Sequence, residues 1–519
     1  MTMRPLLSAA VIVAALSTLA GCAGTATRND RAGELQRFGF AADDTVAVVN
    51  RVTWGASTAS YNEARGAGID RWLAGQLHPG DDKLPPAIDA RIRDMTISRQ
   101  PMDRIVVDLE ARRKAADALA DPDQKQAAQK VYQDEMNRLL REATSRSLLR
   151  DVYSHNQLRE QMTWFWVNHF SVHQGKSNLR AMIGDYEETA IRPHALGKFR
   201  DLLRATVYHP AMLRYLDNEQ NAVNHINENY ARELMELHTL GVDGGYTQVD
   251  VQELARILTG LGVNLGNPPP KVKPELQSQY VHRGLFEFNP MRHDYKEKVF
   301  LGQKVKGRGL AEVDEALDRL CRSPATARFI TRRIALYLTG AAPSPRLAQA
   351  LANTFMRTDG DIAGVLATLF AAPEFRQSLG QQFKDPVHYV VSAVRIAYDD
   401  KPILNANPMA GWLSRLGESP YNRQTPDGYP LTASAWDSSG QMNTRFEIAK
   451  AIGSGSAGLF KTDGPHGQDR PAFPQLATPL YYNAMRQTLS PATRQALDQA
   501  TSPQEWNVFL LASPEFMNR

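Results

Sequence analysis

Residues 227 to 238, "NENYARELMELH", place Asn227, Glu228, Asn229, Arg232, Glu233, Glu236 and His238 within twelve positions. Carboxylates, an imidazole and a guanidinium at this density are the parts of a general acid–base site or of a divalent-metal site. On a helix Asn229, Arg232, Glu233 and Glu236 fall within one arc of about 100°, beside an apolar stripe of Tyr230, Leu234 and Leu237. His238 points about 160° away from Glu236, beside Ala231 and Leu234. Ligands of the Glu-x-x-His type lie three apart on one face. Glu233, Glu236 and His238 therefore do not form one metal site on one helix, although Glu233 and Glu236 could still be ligands with others from elsewhere. The plain alternative is an Arg–carboxylate ladder, with Glu228, Arg232 and Glu236 at i, i+4 and i+8. Exposed pairs of that kind contribute about a few tenths of a kcal/mol each. Two asparagines and a third acid on the same arc favour a polar framework buried against the helix that ends near His169, and this is the expectation.

A second cluster is "TWFWVNHFSVH", residues 163 to 173. If helical, His169 shares a face with Leu158, Met162 and Phe165, with His173 nearby at i+4. A histidine pair at that spacing can bind zinc, but Phe170 stands where the zincin motif has its glutamate. Seven of the twelve histidines fall between residues 155 and 238, which concentrates possible ligands there. Arg192, His194, His293 and Asp294 add polar groups farther along. Pro193 and Pro210 read as helix starts. Gly241 stands where a left-handed helix end belongs, and Thr247 with Asp250 forms a capping box that opens the next helix. The Asp243-Gly244-Gly245 turn does not have EF-hand spacing.

The candidate polar cluster is thus Asn168, Asn229, Arg232, Glu233, Glu236 and His238. The candidate catalytic residues are Glu233, Glu236, His169 and His293, and the candidate ligands of a divalent metal are His169, His173, Glu233 and Glu236. No Gly-x-Ser-x-Gly or Walker A motif is present. No complete catalytic constellation can be written, no cofactor is specified, and two classes stay open. One is a helical scaffold or accessory protein. The other is a metal-assisted hydrolase with a His/Glu cleft.

The elements that must position these residues are mostly helical. Residues 43 to 79 read as short helices broken by glycine. A charged stretch from about 81 to 145 reads as helical, with long amphipathic helix from about 102 to 160 that only Pro122 interrupts, as in a hairpin. The core motifs span 146 to 310, in a main helical domain of 45 to 396, and a helical region of 397 to 519 packs on it. Strand is expected only in a small hairpin near 284 to 306, where "FEFN" and "KVFLGQKVKG" could pair. The expected class is mainly α. "LFAAPEFRQ" at 369 to 377 echoes "LLASPEFMN" at 510 to 518.

The chain begins with Arg4, an apolar run from Leu6 to Leu19, and Leu19-Ala20-Gly21-Cys22. The run is short for a bilayer span and reads as a signal-peptide core over residues 1 to 21. A polar tether of 22 to 44 follows. Leu-Ala-Gly-Cys is similar to a bacterial lipobox. That implies cleavage before Cys22, its lipidation, and a membrane partner reached through that lipid. Ala23, with no aspartate there, favours the outer membrane, facing the periplasm or the cell surface. Cys321 is then the remaining thiol, so no intramolecular disulfide is available. A net charge of +4 with no basic block argues against nucleic acid.

"MTWFWVNHFSV", "YEETAIRPHALGKFRDLLRATVYHPAMLRYLDN", "NENYARELMELHTLGVDGGYTQVDVQELARILTG", "HDYKEKVFLGQ", "SPATARFI" and "DGYPLTASAW" resemble the bacterial domain of unknown function family 1800, from about residue 45 onward. The resemblance implies a largely helical envelope or secreted protein. It also implies a neighbouring gene for a protein similar in part to alkaline-phosphatase-like enzymes. It brings no activity. Leu261 departs from the usual pattern, where a tryptophan commonly follows Thr-Gly, and the charged stretch before residue 146 looks inserted.

Overall fold

A computed structural model describes residues 38–399, 401–461 and 472–519. The signal-peptide core, Cys22 and most of the tether lie outside the described residues. The body is mainly α-helical, with five three-residue strands among the described residues.

The charged stretch folds as a helical hairpin, Met102–Asp117 followed by Pro122–Tyr153. Pro122 does not interrupt a helix. It occupies the first turn of the second one, whose Asp121 N-cap carboxylate accepts from the amides of Asp123 (2.9 Å) and Gln124 (3.0 Å). Burial along that helix starts only at Met136, which explains why its first half is so polar. The next helix, Gln157–His169, is the centre of the molecule, with all but Arg159 of its residues buried. Helix Pro386–Tyr398 is buried along its whole length and packs on Pro122–Tyr153, Asn407–Arg415 and Ser439–Gly453. Apolar side chains from Phe38 to Met517 form one continuous core.

The strands pair differently from the expected hairpin. β1 (Leu261–Val263), β2 (Val281–Arg283) and β3 (Phe286–Phe288) form an antiparallel sheet with β3 in the middle, pairing Leu261 with Phe288 and Arg283 with Phe286. β4 (Lys298–Phe300) and β5 (Gln303–Val305) pair with each other. The reason is in the turns. Gly284 at φ +56° opens a two-residue turn between β2 and β3, and Leu301 and Gly302 are both left-handed between β4 and β5. Such turns match the twist of adjacent strands, so each segment closes on its neighbour in sequence. Leu261 begins β1 and is buried.

The echoed segments meet at one side chain. The residues that follow them at equivalent positions are Ser378 and Arg519, and the buried Arg51 guanidinium donates to both of those carbonyl oxygens and to that of Leu338.

Candidate functional site

The motif segments converge on one face. Helix Gln157–His169 stops at His169 because Phe170 leaves the helical region (φ −101°, ψ 50°), with its amide still bonded to Trp166 O. Asn168, in the last turn, clamps the 421–430 loop. Its Nδ2 donates to Tyr429 O (3.0 Å) and its Oδ1 accepts from Tyr429 N (2.6 Å). The loop reaches this close because Gly428 is left-handed (φ +76°) and has no side chain; a Cβ there would sit 2.2 Å from Asn168 O.

Glu233, on helix Asn229–Glu236, lies near enough to Asp427 of that loop for the two carboxylates to interact. Asn227 Oδ1 accepts from the Asn229 amide (3.0 Å), and Asn229 Nδ2 donates to Leu216 O (3.1 Å). The helix stops at Glu236, earlier than the Gly241 end expected from the sequence; residues 237–240 continue as a turn, and the left-handed Gly241 closes it with its amide on Met235 O. The Thr247–Asp250 capping box starts the next helix, Gln248–Ile257.

The buried framework expected for this helix is not what forms. Arg232 keeps 38% of its side chain exposed, Glu228 32% and Glu236 27%. Arg232 bonds Glu228 (3.0 Å) and Gln248 (2.9 Å) and stands 3.5 Å from Glu236. The arc is a ladder on a half-open surface, and Asn229 is exposed. The apolar stripe carries the docking: Tyr230, Ala231, Leu234 and Met235 are buried. Glu233 stands apart from the ladder. Partial burial, then the neighbouring Glu236 and Asp427, push its carboxyl above the usual range, against the pull of Arg232. Tyr246, bonded to Glu236, is raised to about 12 by burial and by that carboxylate. Glu233, Glu236 and Asp427, with Arg232, Arg423 and Tyr215 around them, form an acidic rim. Asp427, Arg423 and Tyr215 were not singled out in the sequence, because the contact is tertiary.

The histidines go elsewhere. His169 is buried in a nest of Phe165, Trp166, Phe170 and Phe329, with Nε2 3.1 Å from His238 O. Burial first, then the charge of Arg333, lowers its pKa well below the ordinary value. His238, also buried, has neither ring nitrogen hydrogen-bonded and is held down to about 3 by burial and by Arg333. Because the helix stops at His169, His173 leaves its face and lies in the following turn, so the i, i+4 pair does not form. His293 is walled in. Its Nδ1 is 2.8 Å from Thr259 O and its Nε2 2.9 Å from Glu312 Oε1. Glu312 also receives Lys298 Nζ (2.6 Å) and the amides of Arg308 and Gly309. The "HDYKEK" motif is thus a buried clamp between the small sheets and helix Leu310–Cys321. Arg192 holds Glu160 (2.7 Å) and Asp82 (2.5 Å), another internal tie. His169 and His293 therefore do not share a cleft with Glu233 and Glu236. Among the described residues no group of three or more histidine, cysteine, aspartate or glutamate side chains is arranged to hold a metal ion.

A family model described as a protein of unknown function (DUF1800) matches residues 47–518. The chain belongs to the DUF1800 family. No curated protein and no solved structure matches it. In this DUF1800 chain the segments from Asn168, Tyr215, Asn229–Glu236 and Asp427–Tyr429 meet at the acidic rim. "YEETAI", Tyr186–Ile191, forms a π-helix that turns Glu187 into the core, where its carboxylate accepts from Tyr421 OH (2.6 Å). Cys321 is buried, and burial raises its thiol, as befits a small core residue.

Proposed function

We propose that the chain is a lipid-anchored cell-envelope accessory protein, a helical scaffold that presents its acidic rim to a neighbouring envelope enzyme of the alkaline-phosphatase-like kind. The observation behind this reading is the division of labour among the motif residues. Asn168, His293 and Arg192 are tied into internal hydrogen bonds, while Glu233, Glu236 and Asp427 gather on a half-open surface. Half-exposed carboxylates in excess over the Arg232 and Arg423 guanidinium groups beside them suit recognition and orientation of a partner. The anchor follows from the lipobox-like Leu19-Ala20-Gly21-Cys22, with an outer-membrane address. The test has two arms. Cys22→Ala should release the protein from membranes, and Glu233→Lys with Asp427→Lys should abolish co-purification of the neighbouring enzyme without lowering the amount of folded protein. Membrane-bound Cys22→Ala carrying no lipid sinks the anchor, and undiminished co-purification sinks the rim.

One observation favours a second reading, a metal-assisted hydrolase. Burial and the neighbouring Glu236 raise the Glu233 carboxyl, the kind of environment found at acid–base sites. Elemental analysis of protein purified without added metal separates the readings: a stoichiometric divalent ion supports the hydrolase, and its absence removes that reading.

A further inference from the structure

Far from the rim in sequence, a cavity of about 330 Å³ opens between the N-terminal helix Thr45–Val52 and the last segments of the chain. That volume is at the small end of small-molecule sites, which run from roughly 300 to 1,000 Å³. Ile396, Leu489, Leu510 and Phe516 form its apolar wall, and Lys384, Ser392 and Asn50 its polar side.

Lys384 is only 2% exposed. Its Nζ has one oxygen partner, Ser392 Oγ at 3.1 Å, and lies 3.9 Å from the centre of the Phe516 ring. The Ser392 hydroxyl spends its own proton on Tyr389 O (3.0 Å), so towards the lysine it acts as the acceptor. No carboxylate among the described residues lies within ion-pair distance of Lys384. Asp385, next in the chain, is bonded to His388 (2.7 Å). Glu515, on the cavity wall, is taken by Ser490 N and Thr493 Oγ1 (both 2.8 Å). The charges that do face the amine are cationic. Burial, then Arg445 and Arg519, drives its pKa well below the ordinary lysine value. An amine with three donor positions, one acceptor and two guanidinium neighbours is poorly served by its own protein. An anion entering the cavity would complete it. Asn50 offers a second donor, since its Nδ2 makes only a long 3.4 Å contact with Asn518 O.

We propose that this cavity binds a small apolar carboxylate, with its carboxylate on Lys384 and Asn50 and its aliphatic part against Ile396, Leu489, Leu510 and Phe516. The inference is independent of the acidic rim and of the anchor. It is tested on the full-length chain by isothermal titration with octanoate, octan-1-ol and octyl phosphate. Saturable octanoate binding at least about tenfold tighter than octan-1-ol is expected. Lys384→Met should remove that preference, and Met485→Trp, at the half-exposed mouth, should weaken all binding. No saturation by octanoate overturns the proposal, as does octan-1-ol binding equally well. Tighter binding of octyl phosphate overturns the carboxylate assignment. An undiminished octanoate affinity in a folded Lys384→Met protein overturns the role of the amine. Should Lys384→Met not fold, the three ligands on the wild-type chain and the Met485→Trp variant still decide the matter.

Discussion

Lys298 and Lys384 are both buried, and they are held in opposite ways. Lys298 Nζ meets the Glu312 carboxylate at 2.6 Å and two backbone carbonyls, and the same carboxylate bonds His293. Lys384 has a hydroxyl, a ring face and two cationic neighbours. The first is a closed charge network and the second an open one. A closed network joins elements, here the β4–β5 hairpin to helix Leu310–Cys321, and loses heavily when one member goes. An open one is a standing cost to the fold, and it is relieved by removing the charge or by meeting it.

The sharpest test of the closed side is Glu312→Gln. It strands Lys298 without an anion and weakens the acceptor for His293 and for the Arg308 and Gly309 amides. A loss of about 3–5 kcal/mol in denaturant unfolding is expected, as for breaking a buried pair. A loss below about 1 kcal/mol would erase the distinction between the two lysines.

The open side predicts the opposite sign. Lys384→Met should stabilise the protein at pH 7 by about 1–3 kcal/mol, because an uncompensated polar group leaves the core. The sign follows from linkage. The folded pKa lies below the unfolded one, so stability from the neutral amine is full above the unfolded value near 10.4 and declines as pH falls. Wild-type stability should therefore rise between pH 7 and 10, and the Met variant should lack that rise. Parallel melting profiles for the two proteins would show the amine to be compensated after all.

His238 gives a smaller effect on the acid side. Its folded value of about 3 lies far below the ordinary 6.5, so the neutral ring stabilises the fold fully above pH 6.5 and less as pH falls. The expected decline is about 1 kcal/mol per pH unit between pH 6 and 4. His238→Phe, which keeps an aromatic ring in the nest, should flatten that slope by about this amount. Thermal unfolding of both proteins from pH 7 to 4 reads it directly, and equal slopes would mean that water or a shifted ring already serves the imidazole.

Part of the local grammar of the fold was legible. The Thr247–Asp250 box marks a helix start by its own chemistry, and the apolar spacing of 229 to 237 identified the stripe that docks, whereas Pro122 read as an interruption and proved to be a helix start. What depends on distant chain was not legible. "HFSVH" carries neither glycine nor proline, so nothing local shows the helix ending at His169 and separating His173 from it. "FEFN" and "KVFLGQ" both read as strand, but only the turns decide which partner each takes. Lys384 sits in "FKDPVHYVV" as an ordinary charge ahead of a helix. Ser392 is close by in sequence, but Arg445, Phe516 and Arg519 come from remote segments, and no spacing announces them.

The same limit explains the ladder. A helical wheel placed Asn229, Arg232, Glu233 and Glu236 on one arc, but it could not say whether that arc faces protein or water. Packing answered through the other face, where Tyr230 and Leu234 are buried and turn the arc outward. Arg232 is then a solvent-screened cation between two carboxylates, and removing it leaves no buried charge alone. Arg232→Met should change stability by less than about 1 kcal/mol, and Glu236→Gln by no more. The residual effect should shrink further in about 1 M salt, where screening reaches within roughly 3 Å. A loss of several kcal/mol in urea unfolding, insensitive to salt, would mean that the arc is covered in the folded protein, and would put the ladder with the closed network of Lys298.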